Sequence, residues 1–180
     1  MTSRKGQFLV AGPRLRDPNF VRTVVLIIQH NEKGAFGLIV NRPLDVTVSD
    51  ACAESVDAAQ GVEQALHQGG PCEGPLMVLH SDTGGPGDEV VPGVHFTAQR
   101  DDIEQLMRAD AEPVRYVANY AGWGPQQLDT EIVRGDWLLL PASAQEVFAD
   151  TKTLWTRLSS RVVLGQWVRP EMIPDDPSVN

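Results

Sequence analysis

Apolar residues fall along this chain in short runs, separated by glycine, proline and polar turn residues. Phe8-Leu9-Val10-Ala11 reads as a strand ended by Gly12-Pro13. Residues 14–19 form a loop, with Asp17-Pro18-Asn19 supplying turn chemistry. From Val21 to Gln29 the apolar side chains occupy both alternating faces. Val24, Leu26 and Ile28 lie on one and Val25 and Ile27 on the other, as in a central strand covered on both sides. Asn31-Glu32-Lys33-Gly34 is a hairpin turn, and Ala35 to Val40 is the returning strand, stopped by Asn41-Arg42-Pro43. In that register Val24 opposes Asn41 and Arg22 opposes Pro43; the alternative, a bulge at Gly34, would shift the pairing by one.

Beyond the hairpin, a weakly amphipathic helix is expected from Ser49 to about Ala59, then a loop over 60–74 punctuated by Gly69-Gly70-Pro71. Leu76 to His80 reads as a strand, Thr83 to Pro92 as a loop, and Val94 to Thr97 as a short strand. A helix over about 99–110 turns Ile103, Leu106 and Met107 to the core. Strand Val114–Asn119 runs into a glycine-rich turn, Tyr120-Ala121-Gly122-Trp123-Gly124. Pro125 suits the first position of a helix carrying Leu128 and Ile132 and stopped by Gly135. Trp137 to Leu140 is another buried strand, and Ser143 with Glu146 makes a capping box for helix around Leu154, Trp155 and Leu158. There is no internal repeat and no linker, so one domain is expected over 1–165. The proline- and acid-rich residues 166–180 read as a mobile tail. Strands interleaved with helices, plus an antiparallel hairpin, predict an α/β (α+β) domain whose sheet is not purely parallel.

Composition narrows the function classes. The net charge is −9, unevenly spread: residues 1–48 carry seven basic and three acidic side chains, residues 49–112 two basic and thirteen acidic. So acidic a middle repels a phosphate backbone, and direct nucleic-acid binding is not expected. The longest apolar runs fall far short of the ~18 residues a membrane helix needs. The basic N-terminus has no apolar segment behind it, so no secretory signal is read. Cys52 and Cys72 form neither a disulfide framework nor a zinc spacing, which points to the cytoplasm with both thiols reduced.

Several stretches, in order, resemble the YqgE/AlgH family. They are Gly6-Gln7-Phe8-Leu9-Val10-Ala11 with Pro13 and Leu15, then Asp17-Pro18-Asn19-Phe20 with Arg22. Gly37-Leu38-Ile39-Val40-Asn41-Arg42-Pro43-Leu44, Gly69-Gly70-Pro71 and Leu79-His80 follow, and last Tyr120-Ala121-Gly122-Trp123-Gly124-Pro125 with Gln127-Leu128, Glu131, Trp137 and Pro141-Ala142. The resemblance spans about residues 6–160. It implies a mixed, strongly bent sheet, partly closed like a barrel, with flanking helices. It implies no established activity, although members are often labelled transcriptional regulators; no basic recognition helix is apparent here. Asn119 stands where the family usually has glycine, and Gln126 and Asp129 replace the more usual glycine and glutamate.

Candidate chemistry is sparse. Arg22, Asn41 and Arg42 gather at the open end of the hairpin, fed by the loop with Arg14, Arg16 and Asp17. Guanidinium groups beside an amide can take a carboxylate or phosphate. In the competing structural reading, Asp17 and Asn41 cap turns and Arg22 pairs Asp17. His80-Ser81-Asp82 has the letters of a triad without the glycine elbow of a hydrolase, and no catalytic set is assigned. The Tyr120 turn could place helix N–H groups near an anion, with Trp123 either an exposed platform or a core plug. No metal site or cofactor motif is present, and none is expected. The leading expectation is a non-enzymatic binding or regulatory module acting through a protein partner or small anionic ligand. The alternatives are an enzyme on a small anionic substrate, using His80, Asp17 or the Tyr120 loop, and a nucleic-acid-binding regulator.

Overall fold

The computed structural model describes residues 2–167; the expected tail lies outside them from residue 168 on. Strands β1 (Gln7–Ala11), β2 (Val24–Asn31) and β3 (Gly34–Ile39) are followed by β4 (Pro43–Thr47), helix α1 (Val48–Cys52) and a 3-10 turn over Asp57–Ala59. Next come β5 (Ala65–Gln68), β6 (Cys72–His80), β7 (Asp88–Val91), β8 (Val94–Thr97) and α2 (Arg100–Arg108). The described chain closes with β9 (Val114–Trp123), α3 (Gln127–Arg134), β10 (Trp137–Pro141), the single turn α4 (Ala144–Val147) and α5 (Thr151–Trp167).

The sheet runs β10-β1-β2-β3-β9-β6-β8-β7, with β5 joining β9 and β4 joining β5. Every pairing is antiparallel except β5 with β9. The sheet curls into a half-barrel, so far that Gly6, just before β1, meets Val90 and Val91 of β7. The two-sided apolar pattern of β2 has its cause in this curl. Val24, Leu26 and Ile28 face the concave side with Leu79 and Val117, capped by Val147, Leu154 and Leu158 of α4 and α5. Val25 and Ile27 face a second core with Trp123, Leu128 and Trp137. Helix α2 buries Ile103, Leu106 and Met107, as its periodicity predicts, against Leu66, Val78 and Tyr116 in a third.

The differences from the sequence reading have local causes. β2 begins at Val24, because Asp17 O accepts the Phe20 and Val21 N–H groups and Thr23 N–H bonds Phe20 O, coiling residues 17–23 into turns. The hairpin keeps its expected register from Asn31↔Gly34 to Gln29↔Phe36. It then slips at a bulge at Ile28, not Gly34, so that Val25 opposes Ile39. The helix expected from Ser49 to Ala59 ends at Cys52, having only Val48 as a buried anchor. The loops expected over 60–74 and 83–92 contain β5, the start of β6, and β7, each too short or too polar to show an alternating pattern. β4 was not expected at all; proline opens it, a place where a missing N–H is tolerated. Residues 120–123 continue β9 instead of turning, because Ala121, Gly122 and Trp123 pair with β3. Pro125 precedes the cap of α3, whose N-cap is Gln126 at φ 61. Ser143 Oγ bonds the Glu146 side chain (3.0 Å) but caps no backbone N–H.

Gly69 and Gly70 show how closely the β5–β6 connection crosses β9. A Cβ on Gly69 would lie 2.3 Å from Asn119 O, and one on Gly70 2.2 Å from Tyr120 O, both backbone atoms that cannot swing aside. Gly70→Ala is therefore expected to lower stability by about 1–3 kcal/mol, the usual cost of forcing extra volume into packed structure. A urea midpoint equal to wild type would show that the connection lifts off freely.

Candidate functional site

The Asp17–Thr23 segment is built as a clasp. Asp17 Oδ1 accepts the Asn19 N–H (2.8 Å), which fixes the turn. Asn41, just past β3, donates from Nδ2 to Arg22 O (3.0 Å) and accepts the Val24 N–H at Oδ1 (2.7 Å). Arg42 donates from Nη1 to Asn19 O (2.7 Å) and from Nη2 to Val21 O (3.3 Å). Asp17, Asn41 and Arg42 thus spend their polar atoms on the backbone, and Phe20 drops between two indoles, 6.0 Å from Trp123 and 5.3 Å from Trp137.

The clasp leaves Arg22 in an unusual state. Its φ is +56, a left-handed conformation that non-glycine residues rarely adopt. The side chain is exposed and reaches across to α5, where its guanidinium carbon lies 5.6 Å from the Trp155 ring centre. Trp155 is itself anchored, its Nε1 donating to Ala11 O (2.9 Å). Among the described residues Arg22 forms no ion pair with Asp17. Arg14 reaches toward Gly135 at the C-terminus of α3, and Arg16 is exposed in the same loop. A groove of about 400 Å³ opens alongside, lined by Pro13, Leu138, Trp155, Ser159, Ser160 and Leu164.

The secondary candidates are engaged elsewhere. Trp123 is a core plug, 5% exposed. Its Nε1 and that of Trp137 both donate to Glu131 Oε2 at 2.9 Å, while Gln127 Nε2 donates to Oε1. Tyr120 leans on Phe36, 5.3 Å between ring centres, and the strand–turn–helix anion layout does not form. His80 is fully buried; Nε2–H donates to Pro86 O (2.7 Å), and the ring stacks on His95 at 5.4 Å. Asp82 caps its own turn through the Gly84 N–H (3.0 Å), so His80, Ser81 and Asp82 form no relay. Among the described residues no group of three His, Cys, Asp or Glu is placed to hold a metal ion.

One polar constellation escaped the sequence reading. Arg115, 7% exposed, has no carboxylate partner among the described residues. It donates from Nε to Val147 O (3.1 Å), from Nη2 to Ala149 O (3.2 Å), and from Nη1 to His67 Nε2 (2.6 Å). His67 in turn donates from Nδ1 to Ala65 O (3.0 Å). Burial, and then the Arg115 charge, push the His67 imidazole down to about 4, so it is neutral and can accept. Burial likewise lowers the Arg115 guanidinium to about 10, leaving it charged at neutral pH. The signal that marks it is an arginine inside the apolar strand Val114–Val117; the groups it grips lie 32, 34 and 48 residues away and have no sequence signature.

A family profile described as AlgH-like (DUF179) matches residues 8–165. A UPF0301 protein of Hahella chejuensis is 37% identical over 152 residues, 82% of each chain. The UPF0301 protein CT0663 of Chlorobaculum tepidum is 33% identical over 98% of this chain and 96% of its own. Among solved structures, the AlgH protein of Pseudomonas aeruginosa superposes with a TM-score of 0.72 at 26% identity, covering 99% of this chain and 97% of that one. Protein DIP2367 of Corynebacterium diphtheriae gives 0.70 at 28% identity, covering 89% and 88%. The specific Asp-Pro-Asn-Phe and Val-Asn-Arg-Pro-Leu motifs are the two halves of the clasp just described, and the chain belongs to the AlgH-like (DUF179) family.

Proposed function

We propose that the protein is a cytoplasmic, non-enzymatic binding module that takes an anionic group at Arg22, beside the apolar groove. The supporting observation is Arg22 itself. A non-glycine residue held at φ +56 by bonds from its neighbours, with its guanidinium presented on an indole, is a strained element kept by its surroundings. Arg16 adds positive charge in the adjoining loop. A carboxylate or phosphate with an apolar body suits a guanidinium next to Pro13, Leu138 and Trp155. A small ligand and an acidic segment of a partner protein share that chemistry.

The test is a thermal-shift screen of nucleotides, sugar phosphates and carboxylates against wild type, Arg22→Ala and Arg42→Ala. A ligand is expected to raise the melting temperature of wild type and not of Arg22→Ala. Arg42→Ala, losing two charged bonds to backbone carbonyls, should be less stable without ligand by about 1.5–3 kcal/mol and still respond to it. A response that survives in Arg22→Ala overturns the site. No response with any ligand, together with equal recovery of partner proteins by wild type and Arg22→Ala, overturns the reading as a whole.

A further inference from the structure

We infer that the joint between α4 and α5 is a proton-operated hinge: a proton on His67 unseats Arg115 and releases the joint while the rest of the domain stays folded. Trp155, on which the Arg22 guanidinium rests, follows one turn later on α5, so the hinge adjoins the proposed anion site. The hinge does not depend on an anion binding there.

The joint has few ties of its own. Residues 148–150 lie outside both helices, and α4 is a single turn with Val147 as its buried anchor in the concave-side core. Two carbonyls at the joint, Val147 O and Ala149 O, receive Arg115 through Nε and Nη2. The remaining arm of the fork, Nη1, ends on His67 Nε2, so an imidazole on β5 sets where the guanidinium sits. That contact exists in one protonation state. Nδ1–H donates to Ala65 O, which leaves Nε2 with the lone pair that receives Arg115. A proton on Nε2 sets N–H against N–H at 2.6 Å and places a second positive charge beside the first. The fork cannot back away from His67 and keep both carbonyls, because its donors are fixed relative to one another. The joint then loses its two bonds.

Nothing around the ring compensates the imidazolium. Arg115 is the charged group that bears on His67, and the Ala65 and Tyr116 backbone bonds oppose it more weakly. β4 places Pro43 opposite His67. On the helices, Glu146 pairs with Arg161 and Asp150 caps the Lys152 N–H (3.1 Å), while Asp110 and Glu112 bear on Tyr116. Burial first, and Arg115 second, hold the closed-state imidazole down to about 4. Once the joint opens, the ring titrates near its free value of about 6.5. The open joint therefore binds a proton that the closed one refuses, and opening gains as pH falls from 6.5 toward 4. At pH 5 the gain is on the order of 30-fold over neutral pH.

Amide hydrogen exchange on the full chain, corrected for the intrinsic rate at each pH, reads the hinge. The Val147, Phe148 and Ala149 amides, which bond back to Ser143, Ala144 and Glu146, are expected to lose protection on the order of 30-fold between pH 7.5 and 5. The loss should be the same with and without about 1 M urea, since a local opening exposes little surface. Val25 and Leu26, at the centre of the sheet, should instead exchange through a urea-sensitive opening. In His67→Gln, whose amide reaches the Nε2 position and does not titrate, protection at the joint should stay level over the same interval. Unchanged protection in wild type overturns the inference, as does an equal fall in the glutamine variant. Joint amides that share the urea dependence of Val25 and Leu26 also overturn it, because the whole domain is then unfolding. If the glutamine variant does not fold, the onset in wild type decides. A fall that begins near pH 6.5 supports the hinge. One that sets in only below about pH 4.5, the ordinary carboxylate range, assigns the opening to acids at the joint and overturns the inference.

Discussion

Arg115→Leu is expected to lower the free energy of unfolding by about 3–5 kcal/mol, the range seen when one member of a buried charged network is removed. The leucine fills the space yet leaves Val147 O, Ala149 O and His67 Nε2 without donors in the interior. Each orphaned acceptor costs about 1–3 kcal/mol, partly recovered where water can enter. The loss is concentrated where α4 passes into α5, because the two carbonyls flank that joint. Arg115→Lys should fall between, since one ammonium on a flexible stem cannot meet three acceptors held by a planar fork. Urea unfolding at neutral pH, followed by tryptophan fluorescence, reads both variants. A leucine variant within about 1 kcal/mol of wild type would mean that the carbonyls find other donors and that the guanidinium is not a staple.

The same pair predicts an acid limb in stability. His67 has a folded value of about 4, against about 6.5 in an unfolded chain. Between those values the unfolded state binds a proton that the folded state refuses, so unfolding gains as pH falls. The contribution is fully present above pH 6.5 and is lost as pH drops toward about 4, a change on the order of 3 kcal/mol. His67→Asn offers Arg115 an amide oxygen that does not titrate. It should be less stable than wild type at neutral pH, and the gap should narrow steadily from pH 6.5 to 5. Parallel curves for the two proteins over that interval would place the acid sensitivity elsewhere. Arg115→Leu should reduce the limb without removing it, because burial is the larger cause of the shift and Arg115 the second.

How much of this was legible from the sequence differs by element, for physical reasons. The two-faced strand β2, the core face of α2 and the stop of α3 at Gly135 (φ 83) follow from periodicity and from a conformation glycine takes without strain. β4, β5 and β7 did not, because strands of four or five residues with exposed polar positions owe their existence to the partners that pair with them. The cluster at Arg22, Asn41 and Arg42 was visible as a set of residue types, and the structure does bring them to one segment. Their division of labour was not visible. Whether a guanidinium ends on a carbonyl, as Arg42 does, or on an indole, as Arg22 does, depends on a seven-residue stretch coiling into turns instead of extending β2.

The place of β1 in the sheet has a consequence in time. Gln7–Ala11 leaves the ribosome well before β10, which is one of its two neighbours, with Ala11 opposite Trp137. Until some 125 further residues have been made, the edge that β10 will cover stays open, with Phe8, Leu9 and Val10 short of their final burial. Such pairings are slow to close and leave an adhesive strand in the partly made chain. The β2–β3 hairpin can form early, but the β1 edge of the half-barrel is covered only after β10 has been synthesised.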